Sequence, residues 1–353
     1  MMIKKIIVSF LGTTALMGCP LPVAAQEFEL TYTAELQTDF KKGTNWVNLF
    51  RTDFSLPIGE HFRADLATIS TAKTRKERLV DDLLTFSNIE EGNIPLALSV
   101  LGLNYQIGKS SFFFGIRNLN EDYFTSPCTS LFTNSSCGIF PTISANYPIA
   151  NYPVASVGLD YKLELKHLTF ETSLYNGTGY RNFTGRENVF RICPKSDGIL
   201  SITSINYRNN DNGYYLGIAL HNGLPIGDEE DNKMEKEEKE EKAKKKEQNA
   251  VLWGYVEQLI SPRVHILLQY SISPTEKRGC RHYAGAGFVF QCKNTTGGIF
   301  TGYADFKDKY EWVNELTWQI PIWKNGYIQP TLHFIKNNQG KTVIGLLRFG
   351  YTI

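Results

Sequence analysis

Two arginine–aspartate pairs have a spacing of two residues, Arg51 with Asp53 and Arg63 with Asp65. In an extended chain residues i and i+2 point to the same side, so each pair sets a guanidinium beside a carboxylate on one face. Arg117 comes next, followed by Glu121 and Asp122, the rings of Tyr123 and Phe124, and then Phe132. By the same alternation Asp160, Lys162, Glu171, Glu315 and Arg348 fall on the polar faces of their segments. Guanidiniums donate hydrogen bonds, carboxylates accept them, and an aromatic ring offers a flat apolar face. Such a set suits a solute with many hydroxyls and an apolar ring face, held weakly and released. The expectation is that Arg117, Glu121 and Asp122, with some of Arg51, Asp53, Arg63 and Asp65, line a narrow passage. There Tyr123, Phe124 or Phe132 would stack on the solute. The competing reading is that these charges pair with one another across strands.

Other chemistry is poorly supported. The histidines His61, His167, His221, His265, His282 and His333 are scattered, and no GxSxG, HExxH or phosphate-loop motif occurs. There is no CxxC pair, so no metal site or cofactor is expected and no enzyme is inferred. The 37 basic and 36 acidic side chains nearly cancel, which removes the basic excess that a nucleic-acid partner requires.

The elements that must position these residues are short strands. Period-2 alternation marks sixteen segments: 28–39, 46–56, 62–71, 96–107, 111–120, 157–165, 168–176, 199–208, 214–221, 251–259, 264–273, 283–291, 298–306, 310–320, 327–334 and 342–352. In the sixth, Val157, Leu159, Tyr161, Leu163 and Leu165 share one face, and Asp160, Lys162 and Glu164 lie on the other. Every second connection is short (57–61, 108–110, 166–167, 209–213, 261–263, 292–297 and 323–326). All the long ones, 72–95, 121–155, 177–198 and 222–250, lie between them. A soluble sandwich has no reason to sort its loops by parity. A transmembrane barrel sorts them so, with short turns on the periplasmic rim. The expected fold is therefore an all-β, sixteen-stranded antiparallel barrel with both termini periplasmic, its apolar faces toward lipid and its polar faces lining the lumen. Trp46, Tyr105, Tyr207, Tyr214, Trp253, Trp312 and Trp318 near strand ends fit interfacial girdles.

The N-terminus reads as an export signal, residues 1–25, with Lys4 and Lys5, an apolar stretch to Met17, and Val23-Ala24-Ala25 before the cut. Leu16-Met17-Gly18-Cys19 offers lipidation at Cys19 as the rival processing route. The mature barrel would span 26–353. Its tract 228–248 holds ten acids and seven lysines; a solvated charge run is favoured there over a calcium site at Asp228–Asp231. The chain closes on Leu347, Phe349, Tyr351 and Ile353 at alternate positions, like the terminal strand read by the barrel-assembly machinery, although Ile replaces the usual Phe. Of the cysteines, Cys128 and Cys137 fall in one long loop and Cys193 and Cys280 on the same rim. Both pairs are candidates for disulfides, while Cys292, in a short turn, is expected to stay free.

The stretch Arg117-Asn118-Leu119-Asn120-Glu121-Asp122-Tyr123-Phe124 continues through Ser130-Leu131-Phe132-Thr133-Asn134-Ser135-Ser136-Cys137-Gly138. It then runs by Ile143-Ser144-Ala145-Asn146-Tyr147-Pro148 to Asn151-Tyr152-Pro153-Val154-Ala155-Ser156-Val157-Gly158. This region resembles the signature of the carbohydrate-selective porin OprB family, as do Tyr310-Glu311-Trp312-Val313-Asn314-Glu315-Leu316 and Gln329-Pro330. The long charged tract and Ile353 depart from the family pattern. The resemblance implies an outer-membrane barrel that admits monosaccharides and short oligosaccharides by diffusion, with loops folded inward to narrow the pore. It implies no enzyme activity. Partners would be the transported sugars, outer-membrane lipids and further copies of the chain. A non-selective porin or an adhesin barrel remains the alternative.

Overall fold

The computed structural model describes residues 26–41, 43–185, 187–223 and 247–353. The leader and its cleavage site lie outside the described residues, as does the charged tract except for Glu247 and Gln248, which open a strand. Sixteen antiparallel strands form one closed barrel. They are β1 (Glu27–Thr38), β2 (Thr44–Ile58), β3 (Phe62–Lys73), β4 (Ile94–Ile107), β5 (Ser110–Arg117), β6 (Ser156–Glu164), β7 (Leu168–Asn176) and β8 (Ile199–Asn209). The second half comprises β9 (Asn212–Gly223), β10 (Glu247–Ser261), β11 (Val264–Ile272), β12 (Cys280–Cys292), β13 (Thr295–Phe306), β14 (Tyr310–Trp323), β15 (Gly326–Asn337) and β16 (Gly340–Thr352). Each strand pairs with its sequence neighbour, and β1 closes on β16 with Glu35 opposite Arg348. Closure leaves no unpaired edge, the condition for strands to lie in hydrocarbon. No helix among the described residues is long and apolar enough to cross a membrane.

The parity of the loops holds. One rim carries only tight turns, such as 108–109 and 293–294, and the other carries the loops 74–93, 118–155 and 177–198. Outward positions are large and apolar, among them Phe50, Leu103, Phe114, Leu216, Leu252, Ile299 and Leu316, all exposed on the wall that lipid would cover. Trp46, Tyr207, Tyr214 and Trp312 are outward and exposed as girdle residues should be, but Trp253 is not. It faces inward and is buried against Phe124 at 4.8 Å.

That exception reflects a larger departure from the expected all-polar lumen. The inward faces of β7 to β14 include Tyr175, Leu200, Ile202, Tyr215, Val251, Tyr255, Leu267, Tyr283, Phe300 and Val313, all buried. They pack on the loop 118–155, which folds into the barrel and contributes Leu119, Leu131, Ile139, Phe140 and Ile143. Each such side chain removed from water stabilises the packing by about 1.5–3 kcal/mol. The approach is close: a Cβ on Gly298 of β13 would lie 2.8 Å from both the Phe132 ring and Leu131. A second loop, 74–93, adds Leu84 and Phe86 to the same core. The lumen is therefore filled along these strands by an apolar plug, while charged inward side chains toward β3 to β6 border an open cavity.

Two boundaries also move. Strand β5 ends at Arg117, not at residue 120, because Asn118 caps a 3₁₀ turn over Leu119–Glu121, its side chain accepting from the Asn120 N–H at 3.0 Å. Pro330 sits within β15, on its outward face, and not at a rim bulge. Lacking an N–H, it leaves a gap in the pairing with β14, which runs to Thr317↔Thr331 and resumes at Ile320↔Ile328.

Candidate functional site

The open side of the lumen holds the charged residues read from the sequence, and they form a connected ladder. On β2, Arg51 grips its own-strand neighbour, with Nη2 2.7 Å from Asp53 Oδ1 and Nε 2.8 Å from Asp53 Oδ2. Its other edge clamps the loop residue Glu121, with Nη1 2.8 Å from Oε1 and Nη2 2.9 Å from Oε2. Glu121 also accepts from Ser99 at 3.0 Å and Asn118 at 3.2 Å. Burial raises the proton affinity of Glu121, but the Arg51 guanidinium outweighs it and holds the carboxyl below its usual range. Lower on the wall, Arg63 Nε lies 2.9 Å from Asp65 Oδ1, and Asp65 accepts from Ser55 at 2.6 Å and from Asn104.

A second run of the ladder follows β5 to β7. Arg117 Nη2 reaches Asp122 Oδ1 at 2.7 Å, and the guanidinium carbon Cζ lies 4.6 Å from the centroid of the Phe113 ring. Lys162 bridges the same Asp122 oxygen at 3.3 Å and Glu171, its cross-strand partner, at 2.9 Å. Asp160 accepts from Ser173, opposite it, at 2.6 Å. Toward the turn rim these groups border a cavity of about 460 Å³, lined by Arg63, Asn104, Gln106, Ser111, Arg117 and Lys162. Larger apolar concavities, such as that beside Leu216, Leu252 and Tyr270, lie on the outer wall and belong to no lumen site.

Three expected ring-stacking residues are placed elsewhere. Tyr123, Phe124 and Phe132 are buried within the plug, because an inward loop must bury its own apolar side chains. Tyr123 holds Ser173 at 2.6 Å, and Phe132 packs on Phe300 at 5.2 Å. Glu315 and Arg348 are inward but covered. Glu315 takes the Thr133 N–H at 2.7 Å, the Thr133 hydroxyl at 3.0 Å and the Asn134 N–H at 3.0 Å. Arg348 Nε meets Glu35 at 2.8 Å across the barrel seam. Their role is to seat loops.

Sequence reasoning missed the companions of Glu315. Glu311 accepts the Leu83 and Leu84 N–H groups at 2.9 Å each, Glu257 accepts the Cys128 N–H at 2.8 Å, and Glu35 accepts the Ser87 hydroxyl at 2.7 Å. Gln269 and Gln329 donate to the Cys137 and Leu131 carbonyls at 2.6 Å. The available signal was one polar residue recurring on inward faces otherwise filled by residues such as Val251, Trp253 and Tyr255. The disulfide expectation is corrected: Cys128, Cys137, Cys193, Cys280 and Cys292 are all free. Cys128 sits over Glu257 of β10, whereas the Cys137 carbonyl is held by Gln269 of β11. Cys193 begins the short helix α1 (Pro194–Asp197) beside Asn176 of β7, five strands from Cys280 on β12.

No family model and no curated protein matches the sequence. Solved structures do match. OprB of Pseudomonas putida at high pH superposes with a TM-score of 0.75 at 14% identity, over 93% of this chain and 94% of that one. A loop-deleted OmpT of Vibrio cholerae gives 0.60 at 9% identity, over 93% and 99%. A mutant of the Rh. blastica porin gives 0.60 at 6% identity, over 93% and 100%. The fold of the chain is similar to that of OprB and of the other porins: a closed sixteen-stranded barrel with loops folded into its lumen.

Proposed function

We propose that this chain is an outer-membrane channel through which mono- and short oligosaccharides diffuse passively into the periplasm. The observation that carries this reading is the ladder from Arg51 and Glu121 to Lys162 and Glu171, in which every cation meets a carboxylate within about the reach of a hydrogen bond. Charges paired in this way present a weakened field to a passing ion. They still present donors and acceptors that a hydroxylated solute can exchange for water, at several weak sites in series. The similarity to OprB and the resemblance in residues 117–158 agree with this choice of solute. A general, non-selective porin is the reading to be discriminated.

In this reading the tight-turn rim and both termini face the periplasm, and the C-terminal strand, with Leu347, Phe349, Tyr351 and Ile353, addresses the assembly machinery. The outer wall meets lipid and further copies of the chain. Liposome swelling with a sugar panel tests the proposal. Sugar uptake should exceed that of similarly sized zwitterions, and Arg117→Ala should change the size cutoff. Equal uptake of all solutes up to the cutoff would refute selectivity, and no swelling would refute transport.

A further inference from the structure

The loop 177–198 goes the other way from its two neighbours. Ile116 shares a strand face with the exposed Phe112 and Phe114, and Val157 with the exposed Leu159, so both side chains point out of the barrel. Ile116 is nonetheless buried, because Val189 of this loop packs against the same cluster as Leu98 and Ala155, with Val157 and Tyr180 at its edge. Tyr180 pairs with Ala155 through two backbone hydrogen bonds of 2.8 and 3.0 Å. At the far end Asp197 accepts from Asn176 Nδ2 at 2.9 Å and from Arg191 Nε at 3.1 Å. The loop is thus fixed against the outside of the wall.

Held there, it leaves apolar side chains uncovered. Phe183, Phe190 and Ile192 are exposed, with the two rings 5.9 Å apart. Phe190 and Ile192 border a groove of about 550 Å³ whose lining passes Leu101 and Phe114, midway along their strands, and reaches Leu56 and Ala64 near the tight-turn rim. The concavities beside Tyr270 and beside Leu159 are lined by strand residues, whereas this one gains a wall from a loop. A groove drawn out along the wall in this way suits a hydrocarbon chain. Charge says which kind of lipid carries it. The loop has four cations, Arg181, Arg186, Arg191 and Lys195, against two acids, Glu187 and Asp197. Arg191 stands between the two lining residues, and Arg181 and Lys195 are exposed. A lysine or arginine at a membrane surface favours anionic headgroups by about fivefold in affinity.

We infer that this groove holds one acyl chain of an anionic outer-leaflet lipid, whose headgroup phosphates meet Arg181 and Lys195. The inference rests on the outer-membrane reading, which puts the long-loop rim in the outer leaflet. It does not depend on what passes through the pore.

The test titrates the full-length protein in detergent with diphosphoryl lipid A and follows it by native mass spectrometry. One lipid A should stay bound, and zwitterionic phosphatidylcholine should bind at least about tenfold more weakly, from the loss of attraction to two cations. Arg181→Gln combined with Lys195→Gln should weaken lipid A binding about 25-fold, at roughly fivefold per cation, and leave phosphatidylcholine unchanged. Ala64→Trp, which fills the lower end of the groove, should weaken both lipids about tenfold, the worth of one or two displaced methylenes. Heat-modifiable migration verifies that each barrel is folded. One variant alters the loop and the other the wall, so either alone keeps the test decisive. Equal binding of phosphatidylcholine, or unchanged lipid A binding in a folded variant, would overturn the inference. So would oligomers that form without lipid and exclude it, since a second copy would then occupy the groove. Liposome swelling reads transport separately: sugar entry without lipid A binding removes this inference and leaves the transport reading standing, and lipid A binding without swelling does the reverse.

Discussion

Replacing Glu315 by alanine probes how the plug is seated. Its carboxylate takes two backbone N–H groups and one hydroxyl from Thr133 and Asn134 at 2.7–3.0 Å, and it is buried. Without it two buried N–H groups lose their acceptor, at about 1–3 kcal/mol each. A combined loss of about 3 kcal/mol raises the population of a locally unseated loop about a hundredfold. The rest of the plug stays, because Glu257, Gln269 and Gln329 hold it at other points. The expected outcome in planar bilayers is a channel of similar mean conductance with added transient openings, and faster amide exchange across residues 130–137. Glu315→Gln should show a smaller effect, keeping one acceptor oxygen. Quiet, unchanged channels together with unchanged exchange in Glu315→Ala would show that this carboxylate does not hold the loop.

Four further outcomes are expected. Arg51→Ala leaves Asp53 and Glu121 facing each other without their shared guanidinium, so reversal potentials in a salt gradient should move toward cation selectivity. Burial pushes the Asp82 carboxyl of the loop 74–93 up to about 7, against the pull of Arg78. Its folded-state pKa therefore lies above the ordinary 3.8, and the loop is most stable at low pH and loses stability as pH rises through the interval from 3.8 to about 7. Amide exchange of residues 82–90, corrected for intrinsic rates, should be faster at pH 8 than at pH 5, and Asp82→Asn should flatten that difference. Phe132→Ala should cost about 3–5 kcal/mol and lower the melting temperature without a specific loss of sugar binding, since the ring is buried in the plug. Under non-reducing conditions a maleimide should label the exposed Cys292 rapidly and the buried Cys128, Cys137 and Cys280 only after unfolding.

The barrel was legible in the sequence because each strand obeys a local rule. Alternation in 157–165 needs only its own residues, and the parity of loop lengths needs only the order of segments. The ladder was legible for the same reason: Arg51 and Asp53, or Lys162 and Glu171, share faces that strand geometry fixes. The plug was not. Trp253 reads as a girdle residue until Phe124, far away in sequence, is known to lie against it. Tyr123 and Phe132 read as free rings at a constriction because nothing local says which way a long loop folds. The carboxylates Glu257 and Glu311 are marked only as polar residues on inward faces, and nothing local names their partners, which are backbone N–H groups that any sequence supplies.

The seam between the first and last strands orders the events of assembly. Glu35 on β1 and Arg348 on β16 face each other across it, and the loop 74–93 places Ser87 and Asn88 on top of that pair. Glu35 can take Ser87 as soon as β1 and the loop are present, but the hold on Asn88 waits for Arg348 of the final strand. Glu311 and Glu315, the other seats for these loops, are likewise among the last parts of the chain to be synthesised. The hold of loop 74–93 through Leu83, Leu84 and Asn88 can therefore form only once β14 and β16 have joined the barrel.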